Sequence, residues 1–399
     1  MNKKISLGVT ICAIFVAVAI TFSVTWQISE SVINKSLSST ENADDISDKL
    51  SEIEEKLNEV FLYNIDDKEI VNSVADGYIK SLGDKYAEYY TPEQFQEKQL
   101  EESGNLIGIG VTISDTSSGY CVITDVYDDS SAANAGISIG DYIIKINGED
   151  VYSKTSSDIK DGILGAEGEN VSITIRHDST DSTYDLIRKK IEITTVSGEM
   201  LDGNIGYIRI KAFRENTYDQ FKAILDELLK NGAKALMFDM RNNGGGRVDS
   251  VVKVLDALLP EGTILTSVDK NGKEVIEGTS DAEHFVDLPM VVIANENTAS
   301  AAEIFSCDLR DFGKCKIVGT TTKGKGVMQQ TYRLSDGSAI KVTTAYYNPS
   351  VSANYDGIGL APDYECSLSS EQTLLLYSLD RSKDAQFAKA LEVIKTMIS

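Results

Sequence analysis

A serine and a lysine in the C-terminal half of the chain have the residue types and settings needed for hydrolysis. Ser300 lies in the stretch Thr-Ala-Ser-Ala-Ala-Glu, and Lys325 follows it with glycine on both sides. A desolvated lysine can accept the proton of a serine hydroxyl, so this pair could act without histidine. The chain's two histidines, His177 and His284, lie in neither a glycine-rich nor a helix-starting context. The sequence therefore predicts a serine–lysine site.

Ser300 also fits a purely structural role. Together with Glu303 it forms a capping box, in which the serine caps a helix and the glutamate reaches back to the start of that helix. The two roles are compatible, because a serine that follows the predicted strand Met290–Ala294 and begins a helix lies where the helix N-terminus stabilises developing negative charge. Both interpretations stay open at this stage.

Lys325 can act as a base only if it is neutral for part of the time. Its pKa must then fall well below the ordinary value of about 10.4, which burial can achieve. Gln329 lies four residues further on, and positions four apart in a strand share a face. We therefore expect the Gln329 amide to hold the lysine in place.

The stretch from Gly319 to Lys325 also matches the Gly-x-x-x-x-Gly-Lys pattern of a phosphate-binding loop. That pattern requires Ser or Thr next, followed by a helix, whereas this chain has Gly326 and then strand-like residues over 327–334. The nucleotide-binding interpretation is therefore rejected.

A glycine-rich loop follows the predicted buried strand at 235–240. Residues 239–246 read Asp-Met-Arg-Asn-Asn-Gly-Gly-Gly. Such a stretch is common as a plain strand-to-helix turn. The functional alternative is an oxyanion hole, because glycine N–H groups can point at a tetrahedral oxygen without a side chain in the way.

The elements around these residues alternate between strand and helix. Strands are predicted at 205–210, 235–240, 290–294 and 315–319, and helices at 218–229, 248–259 and 300–311. Alternation of this kind indicates an α/β core with parallel strand pairing. A hairpin at Ser335-Asp336-Gly337 adds antiparallel strands, and residues 371–398 are predicted to be helical.

Residues 105–193 change to short alternating strands and resemble a PDZ domain. The resemblance depends on Gly108-Ile109-Gly110-Val111, on Ala-Ala-Asn-Ala-Gly-Ile at 132–137, and on Gly-Asp-Tyr-Ile-Ile-Lys-Ile-Asn-Gly at 140–148. It implies that Gly108, Ile109, Gly110 and Val111 form the carboxylate-binding loop, whose backbone N–H groups hold a peptide C-terminus while the peptide adds a strand to the sheet.

The N-terminus carries an uncharged apolar run at 5–26, preceded by Lys3 and Lys4. This length can span a bilayer, and the lysines place the N-terminus in the cytoplasm. A cleaved signal peptide is the alternative, but Ser-Val-Thr-Trp at 23–26 is a poor cleavage site. We therefore expect a single-pass protein of the cytoplasmic membrane, with its catalytic part outside the cytoplasm.

Apolar residues also recur with helical spacing at Ile46, Leu50, Ile53, Leu57 and Val60. This narrow apolar seam suits pairing with a partner helix, and packing on the helix's own domain fits it equally well. A homodimer formed through this helix is one hypothesis.

The composition limits the choice of partners. The chain has 399 residues and a formal net charge of −24, which argues against nucleic acid, because phosphate binding needs clustered Lys and Arg. The five cysteines are scattered and none has metal-ligand spacing with histidine, so neither a disulfide framework nor a metal site is predicted. No cofactor is predicted.

These motifs together resemble the C-terminal processing peptidases, or tail-specific proteases, over nearly the whole chain after residue 43. The resemblance implies that Ser300 is the nucleophile, Lys325 the general base and Gln329 the residue that orients it. It also implies an oxyanion hole formed by the backbone amides of Gly245 and Ala301, although the run of three glycines leaves Gly245 and Gly246 as alternatives.

A PDZ arginine helps to switch on the active site in some relatives. Arg176 and His177 straddle the matching position, which leaves the assignment open.

The resulting prediction is an α/β protease core with a mixed sheet and an inserted, mostly β PDZ domain, a helical N-terminal region and an N-terminal transmembrane helix. The predicted segments are a stub and transmembrane anchor (1–28), a tether (29–43), a helical region (44–104), a PDZ domain (105–193), a serine–lysine protease core (194–365) and a C-terminal helical region (366–399).

The predicted function is a membrane-anchored serine endopeptidase that cleaves proteins whose accessible, apolar C-termini are captured by the PDZ domain. The alternatives are a catalytically silent PDZ scaffold and, less favoured, an α/β enzyme acting on acyl-CoA.

Overall fold

The structure, a computed structural model, describes residues 43–127, 129–281, 283, 285–369, 372, 373, 376 and 379–398. The described residues divide into two units, with the boundary between Val71 and Asn72. Helix α1 (Ala43–Val60) lies in the first unit, and helix α2 (Asp67–Lys80) follows. The seam residues Ile46, Leu50 and Ile53 are exposed. The homodimer through this helix stays a hypothesis.

The predicted transmembrane helix and membrane location need correction. Among the described residues no helix is both long and apolar enough to cross a membrane. The longest described helix, α1, has 18 residues and carries charged side chains along its length. The predicted transmembrane helix and the single-pass location are therefore withdrawn, since the described residues contain no such helix. The predicted segment itself, 5–26, lies outside the described residues.

One short strand and one helix lead into the PDZ-like region. Strand β1 (Glu88–Tyr90) precedes helix α3 (Pro92–Glu102). Thr91 caps this helix, since its Oγ1 accepts a hydrogen bond from the Gln94 N–H at 3.3 Å while Gln94 Oε1 accepts one from the Thr91 N–H at 3.0 Å. Helix α3 therefore begins at Pro92, directly after its capping residue.

Residues 105–192 form a small β-rich body. Its elements are β2 (Asn105–Gly108), β3 (Val111–Ser114), β4 (Cys121–Val126), α4 (Ser131–Asn134), β5 (Tyr142–Ile146), β6 (Glu149–Asp150), α5 (Ser156–Ile163), β7 (Asn170–His177), β8 (Thr180–Ile187) and β9 (Lys189–Glu192). The main sheet has the order β3-β4-β5-β7-β8, with β6 beside β5, and encloses an isoleucine-rich core. Strand β3 is therefore at an edge of this sheet.

A tight turn at Asn147-Gly148 joins β5 to β6. Both residues have positive φ, 50° for Asn147 and 84° for Gly148, as the tight hairpin turn requires. The flanking residues Ile146 and Glu149 pair directly in antiparallel register.

The remaining chain alternates strands and helices. Its elements are β10 (Val196–Leu201), β11 (Ile205–Ile210), α6 (Thr217–Lys230), β12 (Ala235–Asp239), α7 (Val248–Asp256), β13 (Gly262–Asp269), β14 (Glu274–Ser280), β15 (Met290–Ala294), α8 (Ala301–Asp311), β16 (Cys315–Gly319), β17 (Val327–Arg333), β18 (Ala339–Pro349), β19 (Tyr364–Glu365), a 3₁₀ turn (Arg381–Lys383) and α9 (Ala385–Met397).

Two sheets make up this core. The first has the order β10-β11-β12-β15-β16-β19 and is parallel except for β10. Alternate residues of its strands face two different clusters. Leu236 and Phe238 pack with residues of α6, α7 and α8, whereas Met237 packs with residues of α9. A sheet covered on both faces explains why its strands are continuously apolar.

The second sheet is antiparallel and has the order β1-β18-β13-β14, with β17 also paired to β18. Strand β1 adds residues from the N-terminal part of the chain to it, since Tyr89 pairs with Ile340. The sheet therefore brings residues 84–90 close to the segment that carries Lys325.

A buried ionic network joins the C-terminal helix to the glycine-rich loop. The Arg241 guanidinium donates to both carboxylate oxygens of Asp239, at 2.9 and 2.6 Å, and to Asp384 at 2.8 Å. Asp384 also caps α9, because it accepts a hydrogen bond from the Phe387 N–H at 3.0 Å. Since all three charged groups are buried, each needs its partners, and the start of the loop is held in place.

Candidate active site

Ser300 lies at the junction between strand β15 and helix α8. The turn before it is fixed by Thr298, whose hydroxyl donates to the Met240 carbonyl at 2.9 Å, and by Asn295, whose Oδ1 accepts from the Asn242 N–H at 2.9 Å. Ser300 itself has φ 56° and ψ −121° and is 7% exposed. A positive φ is costly for serine and persists only where the surroundings impose it, which is typical of functional sites.

Glu303 is the residue that joins the serine to the lysine. Its carboxylate is fully buried and accepts hydrogen bonds from the backbone N–H groups of Ser300 and Lys325, both at 2.8 Å to Oε2. The other oxygen, Oε1, accepts from the Gly324 N–H at 2.7 Å and from the Thr322 hydroxyl. The predicted capping function of Glu303 is therefore one part of a larger role that holds the two candidate catalytic segments together.

Replacing this carboxylate should destabilise the fold. In Glu303→Gln an NH₂ group replaces one of the two carboxylate oxygens. This group is a donor and faces donors, so the buried N–H groups that were bound to that oxygen lose their acceptor. We expect the free energy of unfolding to fall by about 2–4 kcal/mol. Denaturant titration measures this value, with Glu296→Gln as the matched control, because Glu296 is exposed and accepts from the Thr320 hydroxyl. Equal stability of Glu303→Gln and the wild-type chain would contradict the assigned role.

Lys325 lies in the loop between β16 and β17. Its ammonium lies over the ring of Tyr86, with Nζ 4.6 Å from the ring centroid. Burial lowers the pKa of Lys325 below its ordinary value, and the charge of Lys341 lowers it further, against the opposing effect of Glu88, Asp84 and Glu303. The direction of this shift is the one that a lysine base requires.

Gln329 is predicted to hold Lys325, but among the described residues no hydrogen bond joins the two side chains. Its side-chain amide donates to the Thr343 hydroxyl at 3.2 Å and to the Val327 carbonyl at 3.4 Å. Strand β17 begins only at Val327, and the register with β18 shifts between Met328 and Gln329. The two-residue periodicity of a regular strand therefore does not extend from the lysine to the glutamine.

The glycine-rich loop lies beside the serine. A Cβ built on Gly245 would be 2.8 Å from both the Ser300 Cβ and the Ala301 nitrogen, so only glycine fits there. The Gly245 N–H, however, donates to Asn243 Oδ1 at 2.8 Å. Gly246 forms an isolated bridge with Phe213 on another segment. Of the two glycine candidates, Gly245 is the neighbour of the serine, but its N–H is engaged in this conformation.

Ala301 offers a clearer oxyanion donor. It is the first residue of α8, and its N–H has no hydrogen-bond partner among the residues that the structure describes. The first N–H groups of a helix lack intrahelical acceptors and point toward the incoming negative charge.

The predicted carboxylate-binding loop lies between β2 and β3 of the PDZ-like body. Ile109 is buried and Gly110 has φ 86°. Within the described part of the chain, neither residue donates its N–H to a backbone carbonyl. A Cβ on Gly108 would be 3.6 Å from Leu164, which ends helix α5. The loop therefore combines free amides with an apolar neighbour, next to the edge strand β3.

Arg176 and His177 are both engaged inside the PDZ-like body. The Arg176 guanidinium binds both carboxylate oxygens of Asp181, at 2.7 and 2.8 Å. The imidazole of His177 hydrogen-bonds to Asp141, which raises the pKa of His177. His284, the second histidine, lies outside the described residues.

Two sequence models of known families match the chain. That of peptidase family S41 matches residues 204–366, and that of the PDZ domain matches residues 122–177. The first range includes Ser300, Glu303 and Lys325, and the second covers most of the PDZ-like sheet.

The chain is also similar to proteins described as probable serine proteases. A probable CtpA-like serine protease of Staphylococcus aureus (strain MSSA476) is 30% identical over 346 residues, which is 86% of this chain and 69% of that protein. One of Staphylococcus haemolyticus (strain JCSC1435) is 30% identical over 324 residues, covering 80% of this chain and 65% of that protein. The chain belongs to peptidase family S41, among its C-terminal processing peptidases with a PDZ domain. It spans about two thirds of the length of these relatives.

Two solved structures are similar to this chain. A putative S41 protease from Bacteroides fragilis is 16% identical, with a TM-score of 0.54, over 81% of this chain and 90% of that chain. The photosystem II D1 C-terminal processing protease is 26% identical, with a TM-score of 0.49, over 79% of this chain and 86% of that chain. The first of these likenesses supports the S41-type architecture.

Proposed function

We propose that this chain is a serine endopeptidase of the C-terminal processing type that uses Ser300 and Lys325. The observation that carries the proposal is the buried Glu303 carboxylate, which binds the backbone N–H groups of both residues at 2.8 Å. One rigid acceptor thus fixes the serine at the helix start and the lysine in its loop, as preorganised catalysis requires.

The proposed reaction has two steps. Lys325, when neutral, accepts the proton of the Ser300 hydroxyl as the oxygen attacks the scissile carbonyl. The Ala301 N–H and the N-terminus of α8 stabilise the negative oxygen of the tetrahedral intermediate. The lysine then returns the proton to the leaving amine, and water hydrolyses the acyl-enzyme.

In the structure the lysine ammonium lies on Tyr86, and no hydrogen bond joins it to Ser300 among the described residues. Apo sites often tighten only when substrate binds, so this geometry is compatible with the proposal. Gln329 is proposed to position Lys325 indirectly, because its side-chain amide donates a hydrogen bond to the Thr343 hydroxyl and not to the lysine. Gly245 would join the oxyanion hole if its N–H exchanged Asn243 for the substrate oxygen.

The PDZ domain is proposed to select substrates by their C-termini. The loop from Gly108 to Val111 would bind the terminal carboxylate with its free amides, and the substrate tail would pair with the edge strand β3. The apolar neighbour Leu164 favours a tail with an apolar last residue.

Tail capture can be tested by changing the substrate alone. A disordered reporter with an apolar C-terminal residue is prepared with a free carboxylate and with a carboxamide. We expect the carboxamide to lower kcat/KM by about 10–100-fold, since hydrogen bonds to a charged group contribute about 1.5–3 kcal/mol. A third reporter ending in aspartate controls for tail polarity.

Each outcome of this experiment decides between the proposed functions. Equal cleavage of the acid and the amide would reject capture of the carboxylate. Binding of the free tail with no cleavage by the wild-type chain would favour the catalytically silent scaffold.

A further inference from the structure

The ring that covers the candidate base comes from a distant part of the chain. Tyr86 lies ahead of the PDZ domain and outside the range matched by peptidase family S41. Lys325 Nζ lies over its ring, 4.6 Å from the ring centroid. We propose that Tyr86 is a positioning residue for the base, which covers the Lys325 amine and holds it within the site. This inference rests on the proposed function of Lys325.

Asp84 fixes the turn that presents Tyr86. Its side chain accepts a hydrogen bond from the Tyr86 N–H at 2.9 Å, and its carbonyl accepts one from the Ala87 N–H at 3.1 Å. The same carboxylate accepts the Thr343 N–H at 2.9 Å and the Thr343 hydroxyl at 3.2 Å. The turn is therefore attached directly to strand β18.

Thr343 also connects this turn to the strand that follows the lysine. Its hydroxyl accepts the Gln329 amide at 3.2 Å while it donates to Asp84. Strand β1, which begins two residues after Tyr86, pairs with the start of β18. Tyr86 and Lys325 thus lie on segments that share one anchor, which explains how a residue of the N-terminal part of the chain keeps its place over the base.

A ring over an amine has two opposing effects on the pKa of that amine. The ring face attracts the charged ammonium, an interaction of about 0.5–2 kcal/mol. The cover also excludes water, which disfavours the charged form. Burial is the largest influence on the pKa of Lys325 and lowers it. The proposed cover by Tyr86 acts in the same direction, because the ring excludes water from the amine. The charged groups around the amine and the ring are Asp84, Lys85, Glu88, Glu303, Lys341 and Asp356.

The pKa of Lys325 can be measured without any proteolysis. The full chain carrying Ser300→Ala is labelled with trace acetic anhydride from pH 6 to 11, and acetylation of Lys325 is quantified by tandem mass spectrometry. Tyr86→Phe, which keeps the ring, should retain the parent midpoint. Tyr86→Ala, which admits water, should raise the midpoint by about one pH unit or more. Tyr332→Ala, at an exposed tyrosine, is the matched control and should change nothing.

A midpoint in Tyr86→Ala equal to that of the parent would overturn the proposal. If the alanine variant does not fold, as judged by circular dichroism, Tyr86→Gln places a hydrated amide over the amine and must show the same upward shift. In the chain that retains Ser300, Tyr86→Ala should also move the acid side of the pH profile of kcat/KM to higher pH. If the chain cleaves no reporter but Tyr86→Ala shifts the labelling midpoint upward, the proposed function is rejected, whereas the proposal that Tyr86 covers Lys325 is supported.

Discussion

Ser300→Ala is expected to reduce kcat/KM for the reporter by about 10⁴-fold or more. The variant removes only an oxygen from a residue whose backbone is held by Glu303, so the fold and the site geometry should persist. Any residual hydrolysis would come from substrate binding and the Ala301 N–H, which do not form an acyl-enzyme. Initial rates at several reporter concentrations give the value directly.

The matched control for this variant is Ser306→Ala on the same helix. Ser306 is also buried, but its hydroxyl donates to the Ala302 carbonyl at 2.8 Å and has no proposed role in the reaction. It should retain activity within a few-fold of the wild-type chain. More than a tenth of wild-type activity in Ser300→Ala would exclude this serine as the nucleophile.

Lys325→Ala should have an effect of similar size, about 10³–10⁴-fold at neutral pH. The wild-type rate should rise with pH, because only the neutral amine accepts the serine proton, and it should level off above the lysine pKa. Burial lowers that pKa, so the rise should lie below the range of an ordinary lysine. In Lys325→Ala this rise should disappear from the pH profile of kcat/KM.

Lys323→Ala provides the comparison, because Lys323 is an exposed lysine in the same loop whose backbone N–H binds the Thr298 carbonyl at 2.9 Å. It should keep both the rate and the pH profile of the wild-type chain. A Lys325→Ala variant with the wild-type pH profile would require a different base.

The parts of the fold that depend on local sequence could be predicted. The turn at Asn147-Gly148 follows from two residues that tolerate positive φ. The parallel strands follow from continuous apolar runs such as Met290–Ala294, which is buried at every position. Ser300 was correctly expected between a strand and a helix, since both neighbouring elements have clear local patterns.

The parts that depend on long-range contacts could not be predicted in this way. Glu303 has a local signal as a capping residue, but its hydrogen bonds to Gly324 and Lys325 come from another segment. Tyr86 reaches the lysine through the pairing of β1 with β18, which no local pattern indicates. The predicted contact of Gln329 with Lys325 requires a regular strand between them. The register shift at Gln329 shows that the strand is not regular there.

The central claim is that Ser300 becomes acylated, and rapid quenching tests it most directly. The wild-type chain is mixed with a peptide ester that carries an apolar, free C-terminal tail on its leaving group, quenched in acid within milliseconds, and examined by intact-mass and peptide mass spectrometry. Fast acylation of an activated ester should let the covalent intermediate accumulate. The account predicts an acyl group on Ser300, absent in Ser300→Ala and strongly reduced in Lys325→Ala. Two results would contradict it. One is product release at the full rate with the acyl group on another residue, and the other is an undiminished yield of acylated protein from Ser300→Ala.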